Sequence, residues 1–316
     1  MRNNNQIFNK PKNLMIKNIL TLLVITLFFL PTTILGKVAT RTVILPYGAY
    51  LKYKNAQYKN WAFNSGAYIY FGYGLNHSWE FDANLTEFDI FDSVDYIDEE
   101  GQPATVFLND FKQKELTIVY TNYSVKKIQI RTGFHYILTD DQATDGSYSL
   151  ILGIKRYVPY FYSLGVNFYS TFYPNTEPSL RVFQISPQGG SYFGDYFSYG
   201  SFYIDILAHI INISEEIGWS KQTFITFKPS ITYYYKKMTL NGFLWLGEQV
   251  YTMRNSGFLL LYYPEKRSGG FGGSFNIQVS KNFSLGVLIS KETFKEQFNP
   301  LTVEVTTGMI NMGFSF

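Results

Sequence analysis

The chain has 316 residues; 19% are aromatic (27 Tyr, 29 Phe), only 16% are charged, and there is no cysteine. Disulfides, thiol-based metal sites and a cysteine-anchored lipoprotein are thereby excluded. A bundle of membrane helices needs about 20 consecutive apolar residues per span, which the mean hydropathy of −0.08 does not supply. The formal charge of +3 comes from the N-terminus: without Arg2, Lys10, Lys12 and Lys17 the basic count falls from 27 to 23 against 24 acids, a net of −1. No basic patch points to nucleic acid.

Residues 1–36 read as an export signal. Lys10, Lys12 and Lys17 precede an apolar run from Asn18 to Leu35, Pro31 interrupts it, and small or polar residues lead to Gly36. A basic segment, a short apolar segment and a small residue at the end are the parts of a cleavable signal peptide. The expected organisation is a signal peptide over 1–36 and a single exported domain over 37–316.

Beyond residue 40 the recurrent pattern is alternation of apolar and polar residues, which gives a strand two different faces. Strands are predicted near 41–53, 62–74, 77–89, 114–124, 126–138, 146–157, 159–173, 199–211, 221–236, 239–251, 256–264, 270–280, 282–292 and 302–316. In 146–157, for example, Tyr148, Leu150, Leu152 and Ile154 oppose Ser149, Gly153 and Lys155. These segments reach the 9–11 residues or so that a tilted strand needs to cross a bilayer. Many of the apolar faces end in aromatic residues. Because lipid offers the backbone no hydrogen-bond partners, strands cross a membrane only as a closed barrel. The predicted fold is all-β, a transmembrane antiparallel up-and-down barrel of about 14 strands; 12 is also compatible. Two connections fit this phase poorly: 236–238 is short where a long loop is needed, and 212–220 is long where a tight turn is needed. The segment 179–188, assigned here to a loop, also reads as a strand.

The chain ends Gly308-Met-Ile-Asn-Met-Gly-Phe-Ser-Phe316, with Ile310, Met312, Phe314 and Phe316 on one face. On these residues, together with the signal segment and the amphipathic strands, the chain resembles the bacterial outer-membrane β-barrel superfamily, of porin-like or small-solute-transporter type. The resemblance implies that Phe314 and Phe316 form the signal read by the barrel-assembly machinery. It also implies lipid and lipopolysaccharide as surroundings in a Gram-negative-type outer membrane. Val303 and Val305 fall out of phase with Phe316, and a bulge near 306–307 is expected to account for it.

The predicted inward face carries both signs of charge. The candidate pore-lining residues are Glu80, Asp82, Glu115, Lys127, Arg131, His135, Lys155, Asn167, Tyr169, Asp205 and Lys228. They serve either as an electrostatic constriction or as a lumen-filling ion-pair network. Tyr50, Tyr68, Tyr70, Phe161 and Tyr203 are expected beside them and suggest a packed lumen or a route for aromatic solutes. The acidic segments 92–110 and 140–145 read as solvated loops, with cation bridging to lipopolysaccharide as the alternative. His77, His135 and His209 form no catalytic constellation with Ser or Asp along one strand. The function these features favour is passive diffusion of small solutes, without enzyme activity or cofactor. A facilitator for hydrophobic or aromatic compounds is the alternative, followed by a structural or adhesive barrel and, last, a barrel enzyme. The sequence sets no oligomeric state.

Overall fold

The computed structural model describes residues 40–316 except 92, 98–102, 108, 217, 218, 262, 298 and 300, with the backbone alone at 40, 93–97 and 103–107. The expected signal segment 1–36 lies outside the described residues. In chain order the elements are β1 (Thr40–Lys54), β2 (Lys59–Tyr73), β3 (His77–Ile90), β4 (Ser93–Ile97), β5 (Pro103–Phe107), β6 (Phe111–Asn122), β7 (Ile128–Thr139), β8 (Tyr148–Val158) and β9 (Tyr162–Tyr173). They continue with β10 (Leu180–Asp195), β11 (Gly200–Ile213), β12 (Thr223–Tyr235), β13 (Met238–Gln249), β14 (Met253–Arg254), β15 (Leu259–Leu260), β16 (Lys266–Gln278), β17 (Phe283–Lys295) and β18 (Val303–Ser315). Fourteen of these close into one barrel, in the order β1-β18-β17-β16-β13-β12-β11-β10-β9-β8-β7-β6-β3-β2. β1 and β18 seal it in unbroken antiparallel register, from Val43 opposite Ser315 to Lys54 opposite Glu304. Within the barrel no strand is left with an unpaired edge.

The outward residues are those that alternation assigned to lipid. Leu152, Leu164, Ile206, Phe227, Leu246, Ile289 and Ile310 are all more than half exposed. In water such a belt would be a large apolar patch on every side; in a bilayer it meets hydrocarbon. Aromatic residues group near the strand ends. His77, Trp79, Phe81 and Tyr120 stack near the short-turn rim, and Phe134, Tyr136, Tyr148 and Phe172 form a second group nearer the opposite rim. These rings suit the interface, where a flat amphipathic side chain meets both headgroups and acyl chains. A charge in the middle of the belt is poorly tolerated. Leu152→Arg is expected to destabilise the refolded barrel by about 2–4 kcal/mol, read as a lower denaturant midpoint in lipid vesicles. An unchanged midpoint would show that β8 does not face lipid at Leu152.

The strand count agrees with the sequence reading for a reason that the reading did not contain. Segment 256–264 is not a barrel strand, and the segment assigned to a loop around 179–188 is most of the first half of β10. Exchanging one for the other restores the phase. The turns 74–76, 123–127, 159–161, 196–199, 236–237 and 279–282 now lie at one end with both barrel termini, and at the other end every connection except 55–58 is longer than these. The connections 236–237 and 214–222 thereby become an inner turn and an outer loop, as their lengths require. The loop reading of this stretch, against the strand it also offered, arose because alternation is blurred at its start: Leu180 and Val182 are buried inside while the equally apolar Phe183 faces out. Pro187, which has no N–H, adds a discontinuity, and the pairing with β11 skips from Ile185 to Gln188 there.

No bulge occurs at 306–307. β17 and β18 stay in register from Phe283 opposite Phe314 to Phe294 opposite Val303. Val303 and Val305 are inward-facing and fully packed, because the upper half of this barrel is filled by apolar side chains instead of water.

Candidate functional site

What fills the barrel is the connection between β13 and β16. At Gly247 the chain takes φ = +111°, where a Cβ would lie 2.3 Å from the Ile225 carbonyl oxygen. Only glycine fits this close approach, and the register with β16 shifts between Leu246 and Gln249. The segment 250–261 then folds into the lumen as a hairpin: β14 and β15 pair through Met253 and Leu260, joined by a 3-10 turn over Asn255–Gly257. It touches the inner wall around the circumference. The Gln184 side chain of β10 clamps the Met253 backbone at 2.8 and 2.9 Å. Arg131 of β7 donates to the Ser256 carbonyl at 3.2 Å. Phe258 meets the Tyr68 ring of β2 edge-on. Gly257 lies so close to Ile151 of β8 that a Cβ would approach it to 2.4 Å.

Around this plug the inward residues of the long-loop half form one apolar core. Ile137, Ile151, Tyr173, Leu180, Ile211, Phe224, Phe294 and Val303 surround Val250, Tyr251, Met253 and Leu260. The aromatic and aliphatic side chains inside the barrel are thus a packed core, not the lining of an open pore.

A string of buried charges ties the plug to the wall. Lys59 contacts Glu265; Arg267 bridges Glu265 at 3.2 Å and Glu292 at 2.6 Å; Arg254, on the plug, reaches Glu292 at 2.7 Å. Lys59 also lies over the Tyr263 ring at 3.6 Å, and Arg254 over Trp245 at 4.7 Å, as cations do when removed from water. The sequence reading missed this string. Its available signal was Glu292, which continues the inward phase of Ser284, Gly286 and Ser290.

Above the plug, at the long-loop end, is a cavity of about 710 Å³. Tyr58, Ile90, Phe111, Tyr263 and Pro264 supply its apolar wall, and Lys59, Asp110, Asp140, Asp141, Glu265 and Glu296 its charged groups. Burial pushes the Glu296 carboxyl and the Tyr58 hydroxyl above their ordinary pKa values. Volume and lining are those of a small-molecule site.

Below the plug the interior is polar, and most of the predicted inward residues are there. Glu80 accepts from Tyr68 at 2.7 Å and pairs with Arg131 at 3.3 Å. Asp82 accepts from Tyr47 and Asn84. Level with the plug and not below it, Glu115 lies 3.5 Å from His135, whose other ring nitrogen is 2.7 Å from the Thr117 hydroxyl. Asp205 accepts from Ser230, Lys228 lies over the Phe243 ring, and Lys155 and Asn167 line a small recess beside Arg131. Tyr169 belongs instead to the apolar core.

Three expected inward residues are elsewhere. Lys127 occupies the turn between β6 and β7 with φ = +65°, exposed and outside the lumen. Phe161 is in the turn after β8. Tyr50 points to lipid, because Ala49 and Tyr53 take the inward phase of β1. Of the acidic loops, the side chains of 92–108 lie outside the described residues. Asp141 and Asp145 are engaged in their own loop, accepting from Ala143, Thr144 and Thr139. No cluster able to hold a metal occurs among the described residues. The three histidines are separate: His77 meets Tyr120 at 2.7 Å, and His209 meets Ser186 at 2.9 Å and Gln184 at 3.0 Å, deep behind the plug.

No family model matches the chain, and no curated protein matches it in sequence. Solved structures do. The Ralstonia pickettii toluene transporter TbuX superposes with a TM-score of 0.53 at 10% identity, over 87% of this chain and 89% of that one. A deltaS2S3 mutant of the monoaromatic hydrocarbon channel TodX gives 0.51 at 10% identity, over 92% and 93%. A bacterial polysaccharide outer-membrane secretin gives 0.50 at 11% identity, over 87% and 98%. At such identities the likeness is one of fold: this chain shares a closed antiparallel β-barrel with these proteins.

Proposed function

We propose that the protein is an outer-membrane facilitator for small hydrophobic or aromatic solutes, and not an open, water-filled pore. The observation that carries this reading is the apolar, aromatic-walled cavity at the long-loop end, resting on a plug that occupies the lumen. A general diffusion pore needs a continuous wet path. Here an ion that passes the charged groups of the cavity meets the plug and the apolar core packed around it, whereas an apolar solute gains by leaving water for the cavity's apolar wall. With no nucleotide-binding motif in the sequence, movement runs down the concentration gradient. The two barrels of similar fold that carry toluene and monoaromatic hydrocarbons support the reading. On the same reading Phe314 and Phe316 are the assembly signal: Phe314 lies opposite Ile44 of β1, and Phe316 exchanges backbone hydrogen bonds with Thr42 at the seam of the barrel.

The test is a pair of measurements. Cells expressing the protein in their outer membrane should take up labelled toluene several-fold faster than cells without it, as carrier-like entry through a pre-formed apolar site implies. Proteoliposomes carrying it should swell in arabinose no faster than empty ones. Arabinose swelling with no gain in toluene uptake would replace the facilitator with a diffusion pore.

A further inference from the structure

We propose that the recess beneath the plug tip is a binding site for a single carboxylate or similar small monoanion. The recess holds about 80 Å³ and is lined by Gln129, Arg131, Lys155, Asn167 and Gln188, with Ser256 of the plug as its roof. Arg131 and Lys155 bring only donors to its wall, and the amides of Gln129, Asn167 and Gln188 offer donors beside their oxygens. Arg131 is only 9% exposed, yet its Nε has no hydrogen-bond partner. The same guanidinium uses Nη1 on the Ser256 carbonyl and Nη2 on Glu80. Lys155 projects from the neighbouring strand and forms no hydrogen bond or ion pair with a described residue. An unpartnered buried guanidinium nitrogen is costly unless something accepts from it. A guanidinium beside an ammonium in a confined space is the arrangement that recognises a carboxylate.

The charge balance selects a monoanion. Among the described residues Glu80 is the only carboxylate within 4 Å of Arg131 or Lys155, so the two cations beside the recess are matched by one negative charge. Room for the ligand is made by Gly153, where a Cβ would come within 2.3 Å of the Asn167 amide oxygen and push that side chain into the recess. The site does not depend on the facilitator reading, since binding is measured without transport.

The experiment uses the protein purified from membranes into detergent and follows binding of benzoate and of its neutral isostere benzamide by saturation-transfer NMR. Benzoate should bind and benzamide should not. Lys155→Met should weaken benzoate about tenfold, the size of one lost charge-assisted contact. Gly153→Ala should do the same with every charge retained. Both variants should keep the heat-dependent gel shift of the folded barrel, which separates a lost site from a lost fold. Equal binding of benzamide, no benzoate binding, or wild-type benzoate binding by folded Lys155→Met would each overturn the site. Failure here with toluene uptake intact removes the anion site alone; the reverse result removes the facilitator alone.

Discussion

Excising Met253–Leu260 turns a closed barrel into a conducting one. The backbone N–H of Leu261 donates to the Thr252 carbonyl at 2.9 Å, so the hairpin's two ends already meet and a short Gly/Ser bridge can replace it without pulling on β13 or β16. The 14-strand hydrogen-bonded wall does not depend on the hairpin, since each strand is paired on both sides by other strands. The excision removes Met253 and Leu260 from the core and opens a void against Ile137, Ile151 and Ile211. That void is wide enough to admit water, because a whole hairpin is gone and Arg131 and Gln184, which lose their bonds to Ser256 and Met253, are left to hydrate. In planar bilayers the excised protein should give stable single-channel steps at least about tenfold above the wild-type current, as expected when a dry constriction becomes wet. A folded but silent variant would mean that the wall's own inward side chains close the lumen.

The same hairpin explains what the sequence disclosed and what it hid. Alternation works as a signal when one face meets lipid and the other meets water. That condition holds in the lower parts of β3, β7, β8, β11 and β17, whose positions were legible to within a few residues, and it exposed Glu80, Arg131, Lys155 and Asp205 as inward-facing. It fails where the interior is dry. In β10 and at the start of β18, Leu180, Val182, Val303 and Val305 point inward and are as apolar as the residues facing lipid, so the period of two disappears. The run Phe258-Leu-Leu-Leu261 imitates a strand for the complementary reason, being buried inside a lumen that sequence reasoning treats as wet. Lys127 and Phe161 were misplaced by one local cause: alternation counted into a turn assigns a face to residues that have none. The charge string was hidden more deeply. Lys59, Glu265, Arg267 and Glu292 come from the ends of strands at opposite sides of the chain, and only closure of the barrel brings them together.

That string makes the second expected effect large and local. Glu292 stands between Arg254 and Arg267 and is the only carboxylate within 4 Å of Arg254 among the described residues. Glu292→Gln keeps the size of the side chain and leaves two guanidiniums facing one neutral amide, with Arg267 still paired to Glu265. Removing one partner of a buried pair costs about 3–5 kcal/mol, because the remaining charge stays desolvated and uncompensated. The barrel wall need not bear this cost. Arg254 can reach water by leaving the lumen, and it carries segment 250–261 with it. The variant should therefore show transient channel openings where the wild type is closed, together with protease cleavage after Arg254, while its heat-dependent gel shift remains. The paired change Arg254→Met with Glu292→Met should restore closure, since an apolar pair fills the same space without a charge to hydrate. Cleavage and conductance in Glu292→Gln indistinguishable from wild type would show that the apolar core alone holds the plug, with the ion pairs as passengers. Rescue by the paired change would instead assign the latch to Arg254 and Glu292, and would mean that whatever opens this barrel must first separate them.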